Sequence, residues 1–241
     1  EPDRVSHFGL GLISSNGVPG NDAFTKVLLH FDGANGSTSF TDVNGAGISN
    51  SWSAPSNAVI STSSPKFGTG SLLSGAGGFG ISTPAKAAFD PGTGDFTIDF
   101  WYDHNGQSTP ISEKGIAAYG DTSVNPTQWA WSIDVTNLFK VQYQLSNGSG
   151  QVFPSGSSTV LGSGKHHIAM VRSSGTVIGY VDGVQDVTFS FPGSLPASLG
   201  SLKIGRGITA GNPSILVDEF RYSVGIARWT SNFSPPVAQY T

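Results

Sequence analysis

The sequence predicts an all-β protein of short antiparallel strands, arranged as a sandwich or a barrel. Three observations support this fold class. Apolar and polar residues alternate with a period of two in segment after segment, and turn signals separate these segments by about 8–12 residues. No long stretch keeps the 3.6-residue period of an amphipathic helix. The 33 glycines and 14 prolines supply the turns that many short strands require.

The first strand is predicted at residues 27–31, where it runs into the turn Asp32-Gly33. The clearest alternation covers residues 95–102. There the apolar side chains from Phe96 to Tyr102 share one face, and Thr97, Asp99 and Trp101 share the other. Two successive hairpins are predicted between residues 166 and 189. Further strands are predicted at residues 58–61, 70–73, 129–133, 139–143, 202–205 and 215–222.

Composition excludes several classes of function. Charged residues make up only 12% of the 241 residues and the net charge is −4, so the clustered Lys and Arg that nucleic acids and anionic membranes require are missing. The chain lacks cysteine, which excludes disulfides, thiolate nucleophiles and cysteine zinc sites. No apolar run approaches the roughly 18 residues that span a bilayer. We therefore expect neither nucleic-acid binding nor membrane insertion.

Residues 1–24 differ from the rest of the chain. A strand-like alternation over residues 4–13 ends in a turn, and Pro19-Gly20-Asn21-Asp22 then has the composition of a linker. The sequence thus predicts two parts: an N-terminal strand and linker at 1–24, which acts as an attachment arm, and a β-sandwich at 25–241. The leading strand either pairs with another subunit, including a second copy of this chain, or completes the sheet of its own sandwich.

Several segments in one order resemble a known family. The matching segments are residues 28–33 (LLHFDG), 66–72 (KFGTGSL), 94–101 (GDFTIDFW), 166–172 (HHIAMVR), 179–183 (GYVDG), 217–222 (VDEFRY) and 225–230 (GIARWT). Together they are similar to the laminin G-like branch of the concanavalin A-like lectin and glucanase superfamily, across about residues 26–238. The family usually has tryptophan before the His-His pair, where this chain has Lys165. The resemblance implies an antiparallel jelly-roll sandwich of two curved sheets, with ligands at loop edges or on the concave face.

Two further segments resemble bacteriophage sequences. Residues 232–236 (NFSPP) are similar to versions in bacteriophage and marine bacterial surface proteins, and residues 4–10 (RVSHFGL) to a strand repeat of phage structural proteins. The resemblance implies a non-catalytic virion protein, either a capsid decoration or a tail-associated (tail fibre) protein, at the virion surface or outside the cell. Its partners would be other virion or surface proteins, through residues 1–24, and glycans. The alternative is a secreted bacterial carbohydrate-binding adhesin, and the third hypothesis is a polysaccharide hydrolase.

The carboxylates argue against hydrolysis. Glycosidases need two carboxylates about 5–5.5 Å or 6.5–9.5 Å apart, and the glucanases of this superfamily use a Glu-x-Asp-x-x-Glu pattern. The three glutamates are Glu1, Glu113 and Glu219, and none begins that pattern. Asp95, Asp99 and Asp103 recur on one strand face at about 13 Å spacing, too far apart for a catalytic pair. No Gly-x-Ser-x-Gly elbow precedes a helix.

Two aspartates are candidates for a structural calcium site, the one cofactor that the sequence leaves open. Asp32 lies in an Asp-Gly-Ala-Asn turn with several oxygens, and related domains often hold calcium near their first strands. Asp218 is predicted to share a strand face with Leu216 and Phe220, so its carboxylate needs a partner. Calcium, a loop amide or an arginine would each serve.

Aromatic side chains and histidines give weaker signals. Trp129 and Trp131 share one strand face, which favours the core over a sugar-binding platform. His167 shares its face with Ala169 and Val171 and is predicted to be a half-buried, hydrogen-bonded histidine. Three further aromatic residues lie near loop-like sequence, where sugar binding would place them: Trp52, Tyr119 and Trp229.

Overall fold

The computed structural model describes residues 19–54, 57–75, 80–106, 114–120, 129–136, 138–161, 164–197, 200–208 and 214–241. Its strands are β1 (Thr25–Leu29), β2 (Val59–Ser61), β3 (Ser71–Leu73), β4 (Ile81–Pro84), β5 (Phe96–Asp103), β6 (Lys114–Gly120), β7 (Trp129–Val135), β8 (Lys140–Ser146), β9 (Gln151–Val152), β10 (Ser155–Thr159), β11 (His166–Ser173), β12 (Thr176–Val181), β13 (Val184–Ser190), β14 (Ser201–Ile204) and β15 (Leu216–Val224). Within these ranges the one helical element is a 3-10 turn at Ala87–Phe89. No helix in the described residues is long and apolar enough to cross a membrane.

The strands form two antiparallel sheets, which confirms the predicted all-β sandwich. The eight-stranded sheet has the order β13-β12-β11-β5-β15-β3-β2, and β1 also pairs with β15. The seven-stranded sheet has the order β10-β8-β7-β6-β14-β4, and β9 pairs with β8. Strand β5, which has the clearest alternation in the sequence, lies between β11 and β15 in the larger sheet.

The main core lies between the two sheets, where alternate residues of each strand meet. On β5 the even-numbered residues from Phe96 to Tyr102 are fully buried in it, as the alternation predicts. Aromatic rings cross from one sheet to the other: Trp131 of β7 contacts Tyr222 of β15 with ring centroids 5.4 Å apart. The prediction of a core position is thereby confirmed for Trp131.

A bulge in β15 corrects the prediction that Asp218 shares its face with Phe220. Glu219 has a positive φ of 51°, and the register between β15 and β5 shifts between Asp218 and Arg221. The extra residue reverses the alternation, because two residues of a bulged strand oppose one residue of its partner. Phe220 therefore packs in the core between the sheets. Asp218 and Arg221, opposite Trp101 and Asp99 of β5, both face away from that core.

A second apolar layer covers the outer face of the eight-stranded sheet. The chain after β15, residues 225–241 and here called the tail, packs three partly buried side chains against that face. The buried residues beneath are Ala169, Val171, Ile178 and Tyr180, and the tail residues over them are Ala227, Trp229 and Phe233. The tail and the outer face of the sheet thus enclose a second, smaller hydrophobic core, which apolar burial stabilises.

Residues 19–24 are hydrogen-bonded to the sandwich. The backbone N–H groups of Gly20 and Asn21 both donate to the carbonyl of Thr241, at 3.3 Å, and Asp22 binds Arg228 of the tail. The segment predicted to be a linker is thus fixed to the tail. Residues 1–18, which include the predicted N-terminal strand, lie outside the described residues, so the division into 1–24 and 25–241 stays a prediction.

Candidate functional site

The outer face of the eight-stranded sheet contains a buried ion pair between Asp99 of β5 and Arg221 of β15. The two residues are directly opposite in the strand register, and Nε of Arg221 donates to Oδ1 of Asp99 at 2.8 Å. Neither is more than 1% exposed. Nη1 of Arg221 donates to the carbonyl of Gly20 at 3.1 Å, and a side chain at Gly20 would collide with that nitrogen. The absence of a Cβ at position 20 therefore allows the guanidinium to reach the backbone.

The other oxygen of Asp99 accepts two more hydrogen bonds. The Tyr240 hydroxyl donates to Oδ2 at 2.6 Å, and Nε2 of His167 lies 3.4 Å from the same oxygen. Burial alone would raise the pKa of Asp99, but the Arg221 guanidinium and the His167 hydrogen bond outweigh it and lower that pKa to about 2. The carboxylate is consequently a permanent anion, and His167, at 1% exposure, is fully buried rather than half-buried as predicted.

Tail aromatics surround this ion pair. The rings of Trp229 and Phe233 stack with centroids 3.9 Å apart and an interplanar angle of 6°. The His167 ring meets each of them edge-on, at 5.8 and 5.7 Å. The Arg221 guanidinium lies over the Tyr240 ring at 3.6 Å from its centroid, a cation–π contact. Each aromatic ring is therefore fixed on at least one side.

Arg228 of the tail brings a second guanidinium to the same place. Its Nη2 donates to Oδ1 of Asp22 at 2.9 Å and to the Thr25 hydroxyl at 3.0 Å, and Nη1 donates to Oδ2 of Asp22 at 3.2 Å. Its Nε donates to the hydroxyl of Ser223 at 2.9 Å. The bidentate pair with Asp22 holds the guanidinium in one orientation.

An open pocket of about 250 Å³ lies between these groups, here called the outer-face pocket. Its lining residues are Pro19, Arg221, Arg228, Trp229, Ser234, Pro236 and Tyr240. Arg221 and Tyr240, almost fully buried, form its floor, whereas Ser234 and Pro19 are exposed and Arg228 and Trp229 half-buried. Guanidinium and aromatic groups on a shallow depression suit a polar ligand with one apolar face.

The sequence comparison shows the family. Residues 75–222 match a laminin G-like family model described as the concanavalin A-like lectin/glucanases superfamily. The chain belongs to this superfamily. A comparison with curated protein sequences gives no match. Of the residues that line the outer-face pocket, only Arg221 lies within the matched segment, so this concanavalin A-like domain builds its pocket almost entirely from chain outside that segment.

The solved structures with the same fold include binding domains of bacterial toxins. The binding domain of Paraclostridial Mosquitocidal Protein 1 has a TM-score of 0.63 at 14% identity, over 84% of this chain and 49% of that chain. The receptor-binding domain of botulinum neurotoxin D has a TM-score of 0.63 at 12% identity, over 86% and 51%. The ligand-binding domain of serotype D in complex with N-acetylneuraminic acid has a TM-score of 0.60 at 13% identity, over 85% and 48%. The present chain spans about half the length of each, and these likenesses show the fold alone.

The aspartates on β5 and directly before it serve structural roles in this concanavalin A-like domain. Asp99 is held by Arg221, as described above. Oδ1 of Asp95 accepts the N–H of Ser174 at 2.8 Å, and Oδ1 of Asp103 accepts the N–H of Asn105 at 2.7 Å. Glu219, the one glutamate in the described residues, lies 2.7 Å from Nδ1 of His30 and accepts the N–H of Tyr240 at 3.2 Å. Each carboxylate is thus held by hydrogen-bond donors of the domain itself.

The two calcium candidates are surrounded by N–H and O–H donors. Asp32 accepts from the backbone N–H and hydroxyl of Thr69 and from Nε2 of Gln239 at 2.7 Å. Oδ2 of Asp218 accepts from the backbone N–H groups of Lys66 and Phe67, at 2.5 and 3.3 Å. The partner of Asp218 is therefore a pair of loop amides, one of the three partners that the sequence allows. With the N–H of Glu219 on Oδ1 of Asp218 at 2.9 Å, each carboxylate accepts three hydrogen bonds, which leaves about one lone-pair site of each for a cation.

The described residues contain no group of three or more His, Cys, Asp or Glu side chains that could hold a metal ion. Burial raises the pKa of Asp218 to about 7, and the neighbouring Glu219 carboxylate acts in the same direction against the two amides. The Asp218 carboxyl is thus partly protonated near neutral pH. A structural calcium ion at Asp32 or Asp218 stays a prediction.

The predicted aromatic candidates separate clearly. Trp229 lines the outer-face pocket. Tyr119 is buried in the main core with its hydroxyl on Oδ1 of Asp90, and Trp52 packs against that core with Nε1 on Oδ2 of Asp42. Sequence reasoning missed Arg221, Arg228 and Tyr240, the other functional groups of the pocket. The sequence offered one clue, because Arg221 and Asp99 each lie in a predicted strand and have opposite charges. The bulge in β15 hides this clue, since it changes the face on which Arg221 lies.

Proposed function

We propose that this domain is a non-catalytic, lectin-like module that binds a glycan in the outer-face pocket. The observation that carries the proposal is the composition of that pocket. It combines the Trp229 indole with two fixed guanidiniums, and Arg221 is the one lining residue that the superfamily match includes. Sugars present apolar C–H faces and many hydroxyls, and aromatic rings with oriented donors match both.

Preorganisation of the pocket supports this proposal. Arg221 and Arg228 are each held by a carboxylate, and Trp229 is stacked on Phe233. These side chains are already ordered before a ligand binds, so binding costs little further conformational entropy. This raises the affinity of the pocket for its ligand.

The solved structures of the same fold support the class of ligand. One of them, the ligand-binding domain of botulinum neurotoxin D, is in complex with N-acetylneuraminic acid, a sugar. The present chain covers 48% of that domain. This complex supports only the class of ligand, a glycan. The location of the site rests on the pocket of the present chain.

The absence of hydrolysis is part of the proposal. Asp99 has a pKa of about 2 because the Arg221 guanidinium outweighs the effect of burial, so it cannot act as a general acid near neutral pH. Asp95 and Asp103 accept backbone N–H groups that fix them in turns. Incubation with laminarin, agarose, carrageenan or alginate should release no reducing ends. Steady release that persists through repurification would contradict a non-catalytic domain.

For the whole protein we propose a virion role, as a capsid decoration or tail-associated protein at the virion surface. The phage-like segments at residues 4–10 and 232–236 support it. The structure fixes residues 19–24 to the tail, and Pro19, where the described chain begins, lies beside the pocket. Eighteen residues span at most about 60 Å when extended, enough to reach a neighbouring subunit. The alternative, a secreted carbohydrate-binding adhesin, shares the pocket and differs in what residues 1–18 contact.

A glycan array tests the binding proposal. The purified chain should bind a subset of immobilised glycans, and Trp229→Ala should abolish that binding. Phe153→Ala is the matched control, because Phe153 is an aromatic residue that is 48% exposed and does not line the pocket. Equal loss in both variants, or full binding by Trp229→Ala, would contradict the assignment of the pocket.

A further inference from the structure

We propose that the outer-face pocket selects a single sugar residue that bears a carboxylate, such as a uronic acid at the end of a glycan. This inference rests on the proposed function and adds the chemical class of the ligand. It follows from three features of the pocket: its hydrogen-bonding inventory, its charge and its size.

The side chains of the pocket are mainly hydrogen-bond donors. Arg221 uses three of its five N–H groups on described partners and Arg228 uses four, which leaves two and one. The Trp229 indole nitrogen is a donor only. The hydroxyl of Tyr240 already donates to Asp99 and accepts from Nη2 of Arg221. Ser234 remains as the one side chain with an uncommitted acceptor among the lining residues.

This inventory favours a ligand that accepts hydrogen bonds without donating them. Every hydroxyl of a neutral sugar carries a hydrogen that needs an acceptor when it is removed from water, because a desolvated O–H without an acceptor weakens binding. A carboxylate has only acceptor oxygens, about four lone-pair sites, and needs donors alone. A pocket for a neutral sugar would be expected to contain carboxylates that accept hydrogen bonds from the sugar hydroxyls. No Asp or Glu lines the outer-face pocket.

The charges around the pocket act in the same direction. Both arginines line the depression, whereas their carboxylate partners do not. Asp99 is fully buried and bonded to Arg221. Asp22 lies on the same side of Arg228 as Thr25, since Asp22 and Thr25 both accept hydrogen bonds from Nη2 of Arg228. A ligand carboxylate would therefore form charge-assisted hydrogen bonds, which are about twice as strong as neutral ones.

The size of the pocket limits the ligand to about one ring. Its volume of about 250 Å³ lies below the roughly 300–1,000 Å³ that is usual for drug-sized ligands. Pro19 and Pro236 add rigid apolar walls, and the backbone beside Pro19 is tied to Thr241. A glycan chain would enter with its terminal residue and leave the remainder in solvent.

Matched pairs of monosaccharides test the inference on the full-length chain. The probes are the methyl glycosides of glucuronic, galacturonic and mannuronic acid, each against its neutral parent, which differs only in carrying CH₂OH in place of the carboxylate. Binding is followed by NMR at the Trp229 indole N–H, which is assigned from its absence in Trp229→Phe. We expect at least one acid to bind about tenfold or more tightly than its parent, with an affinity that falls as salt increases.

Arg228→Gln provides a second arm. The thermal midpoint and the NMR spectrum establish first that this variant is folded, and its preference for the acid over the neutral sugar should then fall several-fold. Equal or tighter binding of the neutral sugars at Trp229 would overturn the carboxylate inference and leave the glycan proposal intact. No response of Trp229 to any of the six sugars would overturn both.

Discussion

Replacement of Asp99 by asparagine should destabilise the domain more than any other single-atom change on its outer face. The substitution keeps the size of the side chain and removes the negative charge that Arg221 is paired with at 2.8 Å. Arg221 is 1% exposed, so its charge would stay buried with no carboxylate bonded to it, next to the Gly20 carbonyl and the Tyr240 hydroxyl. The tail, which the Tyr240–Asp99 hydrogen bond holds down, would loosen with it.

The expected cost follows from this burial. Removal of one partner of a fully buried ion pair costs about 3–5 kcal/mol of the free energy of unfolding. For a domain of this size, each kcal/mol lowers the melting temperature by about 2–4 °C, so we expect a loss of roughly 6–20 °C. Asp95→Asn is the matched control. It makes the same change directly before β5, at a half-buried carboxylate whose partner is the N–H of Ser174, and should cost less than about 1 kcal/mol.

Urea denaturation followed by tryptophan fluorescence measures both variants. The midpoint should shift for Asp99→Asn with an unchanged slope, because the surface exposed on unfolding is the same. If Asp99→Asn and Asp95→Asn lose equal stability, the ion pair is not the element that joins the tail to the sheet, and the argument for a rigid pocket fails.

Three further predictions concern pH, calcium and the N-terminal arm. The free energy of unfolding should increase as the pH falls from about 8 to about 5.5, because the folded state binds protons more tightly than the unfolded state at two residues. Burial raises the pKa of Asp218 to about 7. Burial alone would lower the pKa of His30, but the Glu219 carboxylate outweighs it and raises that pKa. Both contributions are lost as pH rises through the folded pKa values, and the double variant His30→Gln/Asp218→Asn should show a flatter dependence in thermal melts. If calcium is bound near Asp32 or Asp218, a chelator should lower the melting temperature and added calcium restore it, whereas an unchanged curve would remove the metal hypothesis. Deletion of residues 1–18 should leave a folded chain that no longer joins its particle or oligomer; unfolding on this deletion would assign the segment to the sandwich instead. Deletion of residues 1–24 is not an equivalent test, since it also removes the Gly20 and Asp22 partners of Arg221 and Arg228.

The fold could be predicted from the sequence because strand alternation is a local property. The period of two over residues 95–102 places the even-numbered side chains of β5 in the core, as the structure shows. The ordered family segments added the sandwich topology. The bulge at Glu219 could not be predicted, since a β-bulge has no fixed sequence signature for a residue other than glycine, and it moved Phe220 to the face opposite the predicted one.

The pocket was not predictable for a different reason. Arg221 lies more than a hundred residues from Asp99 in the sequence, and Gly20 and Tyr240 lie near the two ends of the described chain. Residue types on one strand do not show which distant segment will cover them. Trp229 could be named as a candidate from its loop-like surroundings, but its neighbours in space could not.

Glycan binding in the outer-face pocket is tested most directly by a crystal structure of the full chain with the glycan that binds best on the array. We expect electron density for the terminal sugar in that pocket, in contact with Trp229 and within hydrogen-bonding distance of the Arg228 guanidinium. Density for the sugar on the seven-stranded sheet or at a loop edge, with an empty outer-face pocket, would contradict the proposed site.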